Sequence, residues 1–131
     1  MNRGLASLLA ASFAALISAN AAHAQSPPPV PTTKILAIGT LNPGVDPTQA
    51  RAILPVEIRE TAKLYLDGKI DAWYSLQERR GVALILNMTD TAAAHDMLEK
   101  LPLGQAHLMT FELIPLGPLN PLRLLLATGV Q

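Results

Sequence analysis

The sequence predicts a small α+β domain, with two helices covering one face of a four-stranded antiparallel sheet. Three observations carry this. Ala94, Met97, Leu98 and Leu101 recur at helical spacing behind Asp90, which can accept the first free helix N–H groups. Ile70, Ala72, Tyr74 and Leu76 alternate with Asp71, Trp73, Ser75 and Gln77, the two-residue period of a strand. Between these segments Val82 to Met88 is a nearly continuous apolar run, suited to the middle of a sheet.

The chain has 131 residues, room for one small domain, and its first residues read as an export signal rather than as part of that domain. Arg3 is the only charge there, Leu5 to Ile17 is apolar, and Ala22-His-Ala24 fits the small-x-small rule for cleavage after Ala24. The apolar stretch is shorter than the ~20 residues that span a bilayer, which argues against a retained membrane anchor. Residues 1–24 are therefore expected to be removed and the protein to be periplasmic or secreted. Setting Arg3 aside leaves nine Lys plus Arg against ten Asp plus Glu, a net charge near minus one. No basic surface for nucleic acid and no polybasic membrane patch follows from that balance. With no cysteine, the fold rests on burial alone, and a domain this small is marginal as a monomer.

Residues 25–32 form a Pro-rich arm, expected to be an extended, solvated spacer. Residues 33–118 form the domain. Thr33 to Leu41 reads as the first strand, closed by the turn Asn42-Pro-Gly44. Asp46-Pro47 opens a helix whose apolar stripe is read as Leu54, Ile58, Thr61, Ala62 and Tyr65; Pro55 removes a backbone donor, so a kink is expected there, with the main helix running from Pro55 to Leu66. Gly68 supplies the helix stop. Ile70 to Gln77 is the second strand, Glu78-Arg-Arg-Gly81 the hairpin, and Val82 to Met88 the third strand. The second helix covers residues 90–101 and ends at Pro102, and Ala106 to Ile114 is the last strand, begun near His107. The order β-α-β-β-α-β is the ferredoxin-like split arrangement.

Trp73, Leu84, Leu86 and Met109 are not all expected to face the helices, so the far side of the sheet needs a cover. A second copy of the chain packed sheet to sheet would supply it. The tail, residues 119–131, is too apolar for a free end and is expected to pack on a neighbouring subunit or on its own domain.

The pattern Ala-x-His-Asp-x-Leu-x-x-Leu-Pro-Leu at Ala93 to Leu103, with the helix and hairpin before it, resembles the muconolactone isomerase-like branch of the dimeric α+β barrel superfamily, over roughly Asp46 to Pro118. The resemblance implies a homodimer or higher homo-oligomer and a proton-transfer isomerisation of a small lactone or carbonyl acid, a reaction that needs no metal or cofactor. It places Glu57, Glu60 and Arg59 as catalytic candidates. Glu60 matches the charged helix of those isomerases best, Arg59 stands for a lysine and would orient an anion, and Glu57 stands for an aspartate. A carboxylate near apolar walls has its pKa raised toward the range of a useful general base. The same charges, with Lys63, also describe an ordinary solvated helix face. Trp73, with Tyr74 beside it, is a candidate to stack on a planar ligand, or else a core or interface aromatic, and Tyr65 is a candidate to face the same cleft. His95 is a candidate substrate contact, but adjacent helical residues diverge by ~100°, so His95 points away from Asp96 and toward Glu99, as a surface histidine would. A non-catalytic binding or assembly module is the competing reading, and a cofactor-free monooxygenase on the same fold a third. Glu57 and Glu60 separate the first two: if both project into solvent with no cavity beside them, the chemistry loses its base, whereas a buried carboxylate with Arg59 in reach favours it.

Overall fold

The computed structural model describes residues 29–122 and residue 125; residues 1–24, expected to be an export signal, and most of the tail lie outside these. Its elements are β1 (Lys34–Leu41), α1 (Pro47–Leu66), β2 (Ile70–Ser75), β3 (Gly81–Leu86), α2 (Thr91–Glu99), α3 (Pro102–Gln105) and β4 (Met109–Leu116). The sheet order is β2-β3-β1-β4, antiparallel throughout. This is the ferredoxin-like α+β arrangement, with a short third helix, α3, added to the expected order.

Caps define both long helices. The Asp46 carboxylate accepts the Thr48 N–H at 2.8 Å, and Asp90 accepts from Ala92 at 2.8 Å and Ala93 at 3.3 Å. At the end of α1, Gly68 adopts φ +74°, its N–H donating to the Tyr65 carbonyl and the Lys69 N–H to that of Leu64, the paired bonds of a glycine-terminated helix.

Several elements depart from the sequence reading. No break occurs at Pro55: α1 is one helix of 20 residues with Pro55 inside it. Pro55 is exposed, as is Arg51 one turn back, so water can satisfy the carbonyl that loses its donor. The inner face of α1 is also rotated by roughly 90° from the expected stripe, at ~100° per residue. Ala50 and Glu57 are its buried residues, with Ile53 and Leu64 partly buried on the same face, whereas Leu54, Ile58 and Tyr65 are exposed. Pro102 does end α2, but it then occupies the first turn of α3, a position where its missing N–H costs nothing. The last strand accordingly starts at Met109 rather than Ala106, and His107 sits in the preceding turn at φ +55°, its carbonyl held by the Asn42 side chain at 2.8 Å.

The core lies between the helices and one face of the sheet. Ile35, Leu86 and Leu98 are fully buried there, with Ala37, Leu84 and Ala94. Cross-strand partners share a face, so Ile35 with Leu86, Ala37 with Leu84, and Leu41 with Met109 lie on the helix side. A bulge puts Trp73 there too. Ile70 pairs with Leu86 and Ala72 with Ile85, leaving Asp71 as an extra residue, so the alternation reverses and Trp73 pairs with Leu84. Trp73, Leu84, Leu86 and Met109 therefore all face the helices, contrary to expectation. The reverse face still carries apolar side chains, now Leu36, Ile38, Ala83 and Ile85, with exposed Tyr74 and Ile114 at its margins.

The arm is not wholly solvated. Val30 is half-buried, Val30 and Pro31 pass close to Gly117, and the Thr33 N–H bonds the Leu116 carbonyl at 2.8 Å.

Candidate functional site

A cavity of about 310 Å³ opens between α1 and the helix side of the sheet. Its roof is Leu54, Glu57, Ile58 and Thr61 of α1; its floor and sides are Trp73, Tyr74, Ser75, Val82, Leu84, Met109 and Phe111; Leu103 of α3 closes one end. The rotated phase of α1 explains the roof: Glu57 points inward, and Leu54 and Ile58 form the rim.

The floor depends on Gly39. A Cβ at that position would lie 2.9 Å from both Met109 Sδ and a ring carbon of Phe111, so only glycine lets these side chains lie across β1 and shape the cavity. One wall depends on the Asp71 bulge, which turns Trp73 inward to stack on Tyr65, ring centroids 4.7 Å apart and planes 15° from parallel. Asp71 itself pairs outward with Lys34 at 3.1 Å, and Lys34 also bonds Asn87, so the bulge is anchored to β1 and to the end of β3.

Glu57 is the one buried charged side chain among the described residues, at 8% exposure. Its Oε2 accepts the Leu103 N–H at 2.8 Å. No buried side-chain oxygen or nitrogen lacks a partner among the described residues, so the second carboxylate oxygen, which has no hydrogen bond among them, keeps some exposure, and Glu57 lines the cavity. Burial raises the Glu57 pKa above the ordinary glutamate range, and the Leu103 N–H offsets part of that by favouring the carboxylate. The result is an oriented carboxylate, one oxygen fixed and one available, against apolar walls.

The other candidates separate from it. Glu60 does not line the cavity and pairs with Lys63 at 2.7 Å across the outer face of α1. Arg59 is exposed and outside the lining, so it is not in place to hold an anion beside Glu57. Tyr65 touches the site only through its stack on Trp73, which does line it. His95 lies on α2, away from the cavity, with Nε2 3.7 Å from Glu99 Oε1, the direction expected from helix geometry.

Ser75, Leu103 and Phe111 are site residues that the sequence reading did not single out. For Leu103 the useful group is its backbone N–H, which no side-chain motif reports. For Phe111 a signal existed: Gly39 inside a β-branched strand marks a close approach by something bulky.

No family model matches the sequence, and no curated protein matches it. Among solved structures, the chain is similar to a crystal structure of muconolactone isomerase, with a TM-score of 0.52 and 21% sequence identity over 63% of this chain and 86% of that one. At that identity the likeness concerns the fold, and the fold of this protein is muconolactone isomerase-like.

Proposed function

We propose that this protein catalyses proton transfer on a small lactone or related carbonyl compound bound beneath α1, with Glu57 as the general base. One observation carries the reading: a carboxylate buried at the head of an apolar cavity, one oxygen oriented by the Leu103 N–H and the other open to a ligand. The cavity lies at the small end of the ~300–1000 Å³ typical of ligand sites, which suits a monocyclic molecule. In the step envisaged, Glu57 removes a proton from the carbon between the carbonyl and a double bond. The C–H electron pair moves into the conjugated system as an enolate, and the same carboxyl returns the proton to the far end, shifting the double bond with no net change in composition. Trp73 and Phe111 hold the ring, and the Ser75 hydroxyl is the neutral donor for the developing oxyanion. The solved structure of similar fold is named for an isomerase of a lactone, which supports the same class.

The test is solvent deuterium uptake, followed by NMR, in a β,γ-unsaturated lactone such as α-angelica lactone. The wild type is expected to exchange and conjugate the double bond, and Glu57→Gln, which keeps an acceptor for Leu103, to lose about 10²–10⁴-fold of that rate. Equal rates in both proteins would remove Glu57 from the chemistry. One observation favours a non-catalytic binding module instead: the Glu57–Leu103 bond ties α1 to α3 across 46 residues of sequence, a structural task in itself. Under that reading the variant loses stability and there is no rate to lose.

Two further parts of the reading rest on the sequence and the sheet. Arg3, the apolar run Leu5 to Ile17 and Ala22-His-Ala24 support export with cleavage after Ala24. The apolar reverse face, Leu36, Ile38, Ala83 and Ile85, supports a homodimer joined sheet to sheet, which sedimentation of the mature chain as a single-copy particle would rule out.

A further inference from the structure

The cavity wall says something about charge that the reaction class alone does not. Of its twelve lining residues, only Glu57 is charged, and no lysine, arginine or histidine reaches it among the described residues. The nearest cations along α1 are directed elsewhere: Lys63 pairs with Glu60, and Arg59 is exposed outside the lining. Of the hydroxyls, that of Thr61 is engaged with the Glu57 backbone carbonyl at 2.8 Å, which leaves neutral donors such as Ser75 on the wall.

An anionic ligand would meet two penalties here. Its carboxylate would leave water with no cation to receive it, and it would share an apolar enclosure with a second carboxylate. A cationic ligand would neutralise the group that must take the proton. We infer, on the proton-transfer reading given above, that the substrate is a neutral carbonyl compound without a carboxylate, a lactone, ester or cyclic ketone whose ring packs on Trp73 and Phe111. Glu57 then has a second role, as the residue that excludes acid-bearing analogues.

The test uses a matched pair that differs by one charge, muconolactone and its methyl ester, titrated calorimetrically into the full mature protein at neutral pH, with benzylamine as the cationic control. The ester is expected to bind at least about tenfold more tightly than the acid, the discrimination a like-charge contact imposes. In Glu57→Gln the ratio is expected to collapse toward one, because the acid gains affinity while the ester changes little. Acid binding equal to or tighter than ester, preference for benzylamine, or no binding of the ester by the folded protein would each overturn the inference. Deuterium uptake keeps the two proposals separate. An ester that binds preferentially without exchanging sinks the base assignment and leaves the neutral site standing; an acid that binds preferentially and exchanges does the reverse.

Discussion

The helices α1 and α2 lie on the same side of one sheet and make different use of it. In nine residues α2 buries Ala94 and Leu98 completely. In 20 residues α1 buries only Ala50 and Glu57, and leaves Leu54, Val56 and Ile58 more than 40% exposed. A helix placed only to complete a core would bury its leucines and isoleucines fully, yet on the inner face of α1 Ile53 and Leu64 are only partly buried. Instead α1 turns a carboxylate inward and stands off the sheet far enough to leave a cavity. The comparison teaches that α2 is the packing element and α1 the site element.

The largest effect expected from this contrast is on stability. Leu98→Ala should destabilise the fold by about 2–5 kcal/mol, since a fully buried leucine leaves both lost transfer energy and a void. Ile58→Ala on α1, where the side chain is 59% exposed, should stay within about 0.5 kcal/mol. Denaturant midpoints of the two variants at equal m-value check this. Comparable losses would mean that α1 packs as α2 does and that the cavity is filled in solution.

Why α2 was readable and α1 only in part follows from their neighbours. The stripe Ala94, Met97, Leu98 and Leu101 meets a continuous core, so every one of its residues is buried or partly buried. On α1 the apolar and the buried residues diverge, because the apolar residues with the clearest period include the cavity rim, Leu54 and Ile58, and the true inner face is centred on an acid. The sequence offered Glu57 and Glu60 as alternatives; choosing between them required the helix phase, which Ala50, Ile53 and Leu64 carry more quietly. The Asp71 bulge was invisible for a different reason. One inserted residue leaves composition and alternation intact and only reverses which face each side chain takes, so Trp73 was legible as a candidate but not as a residue facing the helices. The caps Asp46, Asp90 and Gly68 were legible because each supplies a bond or a backbone angle that few other residues can.

A smaller effect is expected from titrating Glu57. Its folded pKa is raised, so below the ordinary glutamate range both folded and unfolded chains hold the proton and burial carries no charge penalty. As pH rises through that range the unfolded chain releases its proton first, and the native state loses stability until pH exceeds the raised value, above which the loss is constant. The wild type should therefore weaken relative to Glu57→Gln as pH rises from the ordinary glutamate range toward the raised folded value, the opposite of a salt-bridged acid. Thermal midpoints of both proteins across that interval measure the gap. A gap that stays flat would mean the carboxylate is solvated, and α1 would lose the feature that distinguishes it from α2.

The stack of Trp73 on Tyr65 ranks next. Both rings are about two-fifths exposed, so Tyr65→Ala should cost roughly 0.5–1.5 kcal/mol for the lost pair. Because Trp73, not Tyr65, lines the cavity, the expected signature is a weaker grip on ligand through a looser Trp73, seen as a blunted quenching of tryptophan fluorescence on titration. Unchanged ligand response together with lost stability would make the stack a purely structural contact.

The smallest effect belongs to His95, and it tests the α2 side of the contrast. The His95–Glu99 contact is long, 3.7 Å, and its side chains are 52% and 33% exposed, so the pair contributes at most about 0.2–0.5 kcal/mol and less once water screens it. His95→Ala should leave the melting temperature nearly unchanged and deuterium uptake at the wild-type rate, because the residue faces away from the cavity. A tenfold drop in that rate, with stability intact, would bring α2 into the site and end the division of labour between the two helices. It would also show that the path of the proton extends beyond the cavity headed by Glu57.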